Sequence, residues 1–181
     1  IVAQVEAMKN MVNDFRDYAK TPPPSLAAVD LDALVREVLT LYEAATPRIE
    51  ASLAAALPRV RADANQWRQV LHNLIKNAGE ALAEHGASPS LFPGEGPKIL
   101  VATRAEERRV ALVVADNGPG FPPQILKRAF EPYVTTKAKG TGLGLAIVKK
   151  IVDEHHGEVV LANHSGGGAE ITIRLPVASH E

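Results

Sequence analysis

Lys139-Gly140-Thr141-Gly142-Leu143-Gly144-Leu145-Ala146 decides the reading of this chain. Three glycines at spacing two open a segment that is amphipathic at helical spacing from Thr141 to His156. A loop without Cβ atoms can turn its backbone N–H groups toward an anion. The helix that follows adds its positive dipole end and its unpaired donors. The stretch is therefore a phosphate cradle on physical grounds, and Lys137 and Lys139 bring cations to the same phosphates. It is not the dinucleotide fingerprint, because the third glycine comes one residue early and no strand directly precedes it. It is not a P-loop, because no Gly-Lys-Ser/Thr follows. The competing reading is a glycine-rich helix entry used only for packing.

Two upstream stretches favour the cradle. Asp116-Asn117-Gly118-Pro119-Gly120 follows an apolar run, Val110 to Ala115. An acid at a strand end beside a glycine turn can accept a hydrogen bond from an exocyclic amine, which adenine offers and guanine does not at that position. A tight turn with Asp as its first residue is the plainer alternative. Asn73 and Asn77 stand at i and i+4 and share one helix face, which Glu80 continues. Val70, Leu71, Leu74, Ala78 and Leu82 make the apolar side. Carboxamide oxygens are hard ligands that suit Mg²⁺, which takes few protein ligands plus phosphate oxygens and waters. A solvated polar face is the alternative.

The rest of the chain supplies a scaffold. Ile1, Val5, Met8, Val12, Phe15 and Ala19 form a heptad seam, narrower than an ordinary core-facing stripe, and predict a coiled-coil-like helix that pairs with another helix. The alternative is a helix on the core of its own domain. Thr21-Pro22-Pro23-Pro24-Ser25 breaks that helix and marks a domain boundary. A second helix is expected after Asp30 as N-cap, and a third over about Gln66 to His85, capped by Asp63 or Asn65. Strands are expected near Ile49–Leu53, Arg59–Ala62, Lys98–Arg104, Arg109–Ala115, Gly157–Asn163 and Ala169–Leu175. A short helix should end near Phe130, and Gly86 to Pro97 reads as loop. Several helices beside a sheet of about five strands make an α+β fold, a two-layer α/β sandwich.

Bulk properties narrow the class. The 181 residues are 46% hydrophobic and 23% charged, with a formal net charge of −1, which suits a globular domain and gives no basic excess for nucleic acid. There is no cysteine, so disulfides and thiolate zinc sites are excluded and a reducing, cytoplasmic setting is expected. No apolar run reaches the roughly 18 residues that span a bilayer. The chain opens with Ile1 and is expected to be a fragment, whose parent could be anchored in the inner membrane.

Four stretches together resemble a known family. Gln69-Val70-Leu71-His72-Asn73-Leu74-Ile75-Lys76-Asn77-Ala78 resembles the N box of two-component sensor histidine kinases, and Asp116 to Gly120 their G1 box. Phe130-Glu131-Pro132-Tyr133, followed by Val134-Thr135-Thr136-Lys137, is similar to the F box. Lys139 to Ala146 resembles the G2 box, and Ile171-Thr172-Ile173-Arg174-Leu175-Pro176 resembles the closing strand. The order and spacing match, and the threonine-rich link looks most like the nitrogen-regulation branch.

The resemblance implies the Bergerat ATP-binding fold, shared with gyrase and MutL, with ATP and Mg²⁺ as ligands. It assigns Asp116 to the adenine amino group, Asn77 to Mg²⁺ with Asn73 beside it, and Gly118 and Gly120 to close approach of the nucleotide. Residues 131–140 would be the ATP lid. Tyr133, Thr136, Lys137, Lys139, Gly140, Thr141, Gly142, Leu143, Gly144 and Leu145 would surround the nucleotide, and Thr172 would support adenine. Asn73, Asn77 and Lys137 would carry the transfer chemistry.

Two departures stand out. Glu80 replaces the Lys or Arg that many members place three residues after the Mg²⁺-binding Asn, which leaves the phosphate to Lys76, Lys137 or Lys139. Asn73 stands where gyrase-like hydrolases have a general-base Glu, and an amide cannot take a proton from water. No His stands in the family's phosphoacceptor box. His155 and His156, before Gly157, read as helix-end cations.

Residues 1–20 are thus expected to be the second helix of the dimerisation hairpin, 21–25 a linker, 26–177 the ATP-binding catalytic domain and 178–181 a tail. The expected function is transfer of the ATP γ-phosphoryl to a His outside this chain and then to the Asp of a response-regulator receiver domain. The parent would be a homodimer, and the chain alone would not autophosphorylate. The alternative is a degenerate kinase used as a nucleotide-binding switch, and a gyrase-type ATPase is a third.

Overall fold

The computed structural model describes residues 1–44, 47–86, 96–135, 142–164 and 167–179. Its elements run α1 (Val2–Ala19), β1 (Ala27–Val29), α2 (Leu31–Thr40), β2 (Arg48–Ser52), β3 (Val60–Ala62), α3 (Ala64–His85), β4 (Lys98–Ala105), β5 (Arg109–Asp116), α4 (Pro123–Leu126), α5 (Gly144–Glu154), β6 (Glu158–Asn163) and β7 (Ala169–Pro176).

Local chemistry fixes the helix starts. The Asp30 carboxylate accepts from the Ala33 N–H at 3.0 Å and caps α2. Asp63 does the same for α3, accepting from Asn65 and Gln66 at 3.0 and 3.2 Å. Each helix then buries one stripe: Leu31, Leu34, Val35 and Val38 on α2, and Trp67, Val70, Leu71, Leu74, Ala78 and Leu82 among those on α3. On α5 the stripe is Ala146, Ile147, Val148, Ile151 and Val152.

These stripes pack on one face of a five-stranded sheet of order β2-β4-β5-β7-β6. β2 runs parallel to β4, and the other neighbours are antiparallel. Ile99, Val101, Leu112, Val114, Ile171 and Ile173 point into the helical layer. The period of two then puts Ala111, Val113, Thr172 and Arg174 on the opposite face. The two-layer α/β sandwich expected from the sequence is present.

Several boundaries differ from expectation. β3 leaves the main sheet and pairs with β1, Ala27 opposite Ala62. β1 has three residues, too few to show a period. The helix expected to end near Phe130 stops at Leu126, and residues 127–130 form turns. α5 begins at Gly144 rather than Thr141, because Gly142 has φ +71° and cannot belong to a right-handed helix.

α1 buries none of its residues. Its seam residues Ile1, Val5, Met8, Val12 and Phe15 are 52–98% exposed, so the seam does not pack on the core of its own domain. The end of α1 is tied to the domain by polar groups. Lys150 Nζ donates to the Tyr18 carbonyl at 2.9 Å and lies 5.7 Å from that ring's centre. Gln69 Nε2 donates to Asp17 Oδ2 at 3.4 Å, and Gln66 Nε2 to the Pro22 carbonyl at 2.8 Å.

Candidate functional site

The middle of α3 opens onto a cleft of about 420 Å³. Asn73, Lys76, Asn77 and Glu80 line it from α3, and Gly142, Gly144 and Leu145 line it from the start of α5. The sequence separates these two groups by about seventy residues, and the packing of α5 against α3 brings them together. The Asn73 amide marks the join, donating from Nδ2 to the Gly144 carbonyl at 3.4 Å. Asn73 therefore ties α3 to the helix entry, and an amide so used is no general base.

The start of α5 is shaped for an anion. At Gly144 a Cβ would meet nothing within 4 Å, so the cleft has room there. At Gly142 a Cβ would lie 2.5–2.6 Å from the Tyr133 backbone, and the Tyr133 N–H donates to the Gly142 carbonyl at 2.9 Å. This contact joins the two flanks of the segment 134–141. Tyr133 holds φ +65° to make it, uncommon for a residue with a side chain. Its ring is exposed, and Tyr133 is not on the cleft lining. Leu143 is fully buried and acts as a packing residue. Thr136, Lys137, Lys139, Gly140 and Thr141 lie outside the described residues, as does the second half of the expected lid.

Among the described residues, Lys76 is the one cation on the lining, and Glu80 lies 3.9 Å from it one helical turn on. No group of three or more acidic, His or Cys side chains able to hold a metal occurs among the described residues. An ion at Asn77 would therefore rely on phosphate oxygens and waters, the habit of Mg²⁺, and the donor set fits that ion.

Asp116 ends β5 at a different part of the site. Its Oδ1 accepts from the Gly118 N–H at 2.9 Å and the Ala169 N–H at 3.4 Å. A Cβ at Gly118 would lie 3.0 Å from that same oxygen and 3.4 Å from Leu82 on α3. Leu82 follows Asn77 by five residues, about 7.5 Å along the helix axis. Asp116 and Asn77 thus stand at separate ends of one helix-lined surface, and neither Asp116 nor Gly118 is on the cleft lining.

Gly120 serves the fold itself. It has φ +76°, and a Cβ there would meet the Asn163 carboxamide oxygen at 2.8 Å. Asn163 in turn bonds both the N–H and the carbonyl of Phe121, at 2.9 and 2.7 Å.

Thr172 corrects an expectation. It pairs with Val113 and Val160 on the sheet face away from α3, and its hydroxyl donates to Glu170 Oε1 at 3.4 Å. Strand parity keeps it from Asp116. The β7 residue that reaches Asp116 is Ala169, beside Gly168, where a Cβ would lie 2.2 Å from the Asp116 carbonyl. The glycine run marked a hairpin in the sequence, and its register against β5 was not legible there.

His155 also departs from expectation. It is 2% exposed, with Nδ1 donating to the Ile151 carbonyl at 2.7 Å and Nε2 accepting from the Asp63 N–H at 3.0 Å. That pattern requires the neutral ring, and burial holds its pKa below the usual 6.5. It is a structural joint, not a helix-end cation. Sequence reasoning also missed Glu6, Asn10 and Asp14 of α1, which line the cleft opposite α3. Asn117 is structural too, accepting from the Lys98 N–H at 2.8 Å and donating to the Gly96 carbonyl at 3.1 Å.

Comparisons with known proteins agree with this geometry. Residues 62–179 match the family described as histidine kinase-, DNA gyrase B-, and HSP90-like ATPase. The chain is 36% identical over 177 residues to a putative sensor histidine kinase NtrY-like of Rickettsia bellii, covering 97% of this chain and 28% of that protein. It is 37% identical over 178 residues to nitrogen regulation protein NtrY of Azorhizobium caulinodans, covering 97% of this chain and 22% of that protein.

Among solved structures, full-length ShkA in complex with AMPPNP superposes with a TM-score of 0.76 at 31% identity, over 94% of this chain and 36% of that one. Histidine kinase ThkA in complex with response regulator TrrA gives 0.76 at 28% identity, over 98% of this chain and 49% of that one. The nucleotide-free catalytic domain of ThkA gives 0.67 at 31% identity, over 84% of this chain and 96% of that one. The chain thus spans about a quarter of the length of the curated relatives. It belongs to the family of histidine kinase-, DNA gyrase B- and HSP90-like ATPases, and within it carries the catalytic domain of the sensor histidine kinases.

Proposed function

We propose that this chain binds ATP with Mg²⁺ across α3 and supplies the γ-phosphoryl to a histidine of a helical hairpin, from which it passes to the aspartate of a response-regulator receiver domain. The observation that carries this reading is the single cleft formed by Asn73, Lys76 and Asn77 with Gly142 and Gly144. The AMPPNP bound by the ShkA relative and the regulator bound by ThkA support the ligand class and the partner.

In this reading Asp116 and Gly118 take the adenine end. Asn77 holds Mg²⁺, which when bound offsets charge on the phosphates. Lys76, Lys137 and Lys139 neutralise the polyphosphate, while Thr136, Gly140, Thr141, Gly142, Gly144 and Leu145 close around it. The protein's part is positioning and charge stabilisation. Asn73 in place of a carboxylate argues against efficient hydrolysis. Residues 1–20 are the second helix of the dimerisation hairpin, and 26–177 the catalytic unit. The parent is a homodimer with this part in the cytoplasm.

The test mixes the chain with a separately made hairpin carrying the acceptor histidine and γ-labelled ATP. Label should appear on the hairpin and not on the isolated chain. Binding of nucleotide with no transfer to any such hairpin would favour a nucleotide-operated switch instead. Steady-state hydrolysis well above background, with no transfer, would favour an ATPase.

A further inference from the structure

The loop 116–121 runs between the two ends of the helix-lined surface. It starts at Asp116, the last residue of β5, and finishes at Phe121, which lines the cleft. One cross-strand pair holds both of its ends. Asn163 and Ala169 are partners where β6 ends and β7 begins. Ala169 takes the start of the loop, its N–H donating to Asp116 Oδ1 at 3.4 Å. Asn163 takes the finish, its carboxamide accepting from the Phe121 N–H at 2.9 Å and donating to the Phe121 carbonyl at 2.7 Å.

The Asn163 contact is two-pointed, so it fixes both the position and the rotation of the chain at Phe121. The backbone beside it is drawn in just as closely. A Cβ at Gly120 would lie 2.8 Å from Asn163 Oδ1 and 3.2 Å from the Gly168 carbonyl. Asn163 itself is exposed, packs in no core and is not on the cleft lining. Its side chain therefore acts through the loop. Gly118, three residues before Phe121, donates the 2.9 Å bond that orients the Asp116 carboxylate, so slack at Phe121 reaches Asp116 through Gly118.

We infer that Asn163 is a positioning residue for base selection: it pins the far end of the loop and so keeps the Asp116 carboxylate aimed at the exocyclic amine of adenine. This rests on the nucleotide reading of the site and adds to it a specificity determinant that does not touch the ligand. A polar site selects its ligand by leaving its own groups unpaired against an analogue that lacks the matching group, which requires those groups to be held in place. With the loop released, ordering it becomes a cost of binding, and the amine contributes less.

The test is calorimetric affinity of the full chain for ADP and for purine riboside diphosphate, which lacks only the exocyclic amine. Removing the amine should weaken binding to wild type by about tenfold or more. Asn163→Ala should bind ADP about three- to tenfold more weakly, and there the cost of removing the amine should shrink to about threefold or less. Asn163→Asp keeps an acceptor for the Phe121 N–H and loses the donor to its carbonyl, so it should show the same shrinkage in weaker form. Both variants leave Asp116, Gly118 and Asn77 in place, and the exposed position makes loss of the fold an unexpected outcome.

A role confined to holding the fold would weaken both ligands by one factor and leave the cost of removing the amine at its wild-type value. That result in the two variants, or an unchanged ADP affinity in Asn163→Ala, would overturn the inference while wild-type binding upholds the nucleotide site. Indifference of the wild type to the amine, or absence of binding by it, would overturn the adenine reading and the inference together.

Discussion

The first turns of α3 and its middle belong to one helix yet obey different rules. At the start the backbone N–H and the carboxylate of Asp63 are both engaged. Asp63 accepts from Ser25, Asn65 and Gln66, and its own N–H meets His155. Burial pulls the Asp63 carboxyl up, but these donors outweigh it and hold it below its ordinary value. Trp67 is fully buried with its ring edge-on to His155, centroids 5.5 Å apart. Two turns on, Asn73, Lys76, Asn77 and Glu80 face a cleft, and their carboxamides and charges are presented to a ligand-sized space. The contrast separates the part of the helix that holds the fold from the part that holds the ligand. Substitutions at the two places should therefore fail differently.

The largest effect is expected at the closed end. Trp67→Ala should cost about 3–5 kcal/mol of stability, seen as a lowered denaturant midpoint. Any binding defect should vanish under conditions that keep the variant folded. A variant of near wild-type stability would contradict the closed end as a core joint. At the open end, Asn77→Ala should leave the unfolding midpoint within about 0.5 kcal/mol. It should remove the dependence of nucleotide affinity on Mg²⁺, a loss of about tenfold or more. If Mg²⁺ dependence survives, Asn77 is a surface residue and the comparison loses its second half.

Gly142→Ala belongs to both regimes. The new methyl would meet the Tyr133 backbone in a left-handed conformation, so about 1–2 kcal/mol of stability should go, together with part of the nucleotide affinity. A variant of unchanged stability and affinity would show that the pairing of Tyr133 with Gly142 is dispensable.

The smallest effect is a pH slope. The folded state holds His155 neutral, with a pKa below 6.5, while the unfolded chain takes up a proton near the ordinary value. Asp63 and Glu154 raise the folded pKa and His156 lowers it, but burial prevails. The unfolded state therefore binds more protons as pH falls, so the stability from this ring is complete above about pH 6.5 and is lost on the way down to the folded pKa. Denaturant midpoints should drop over that window, and His155→Gln should flatten the drop. An unaltered slope in the variant would exclude His155 as its source.

Much of this was legible in the sequence, for identifiable reasons. Caps at Asp30 and Asp63 and the apolar stripes act within a turn or two of chain, and the starts of α2 and α3 followed from them. The pairing of Asn73 and Asn77 needs only helical spacing. What failed needed tertiary register. Thr172 and Ala169 are three residues apart, and only the pairing with β5 shows which of them faces Asp116. The neutral His155 depends on Asp63, ninety-two residues away. The acidic wall from α1 was hidden behind its seam, because the seam announces one face of a helix and says nothing of what the other face meets.

The central claim is that the surface from Asn77 to Asp116 receives one adenine nucleotide. The measurement that meets it most directly is calorimetric titration of wild type and Asp116→Asn with ADP and AMPPNP, with and without Mg²⁺. The account predicts saturable binding to wild type, strengthened by Mg²⁺ for the triphosphate analogue. It predicts a loss of about ten- to hundredfold in Asp116→Asn, the worth of a hydrogen bond to a charged group. Equal affinities in the two proteins, or no binding at millimolar nucleotide, would contradict it.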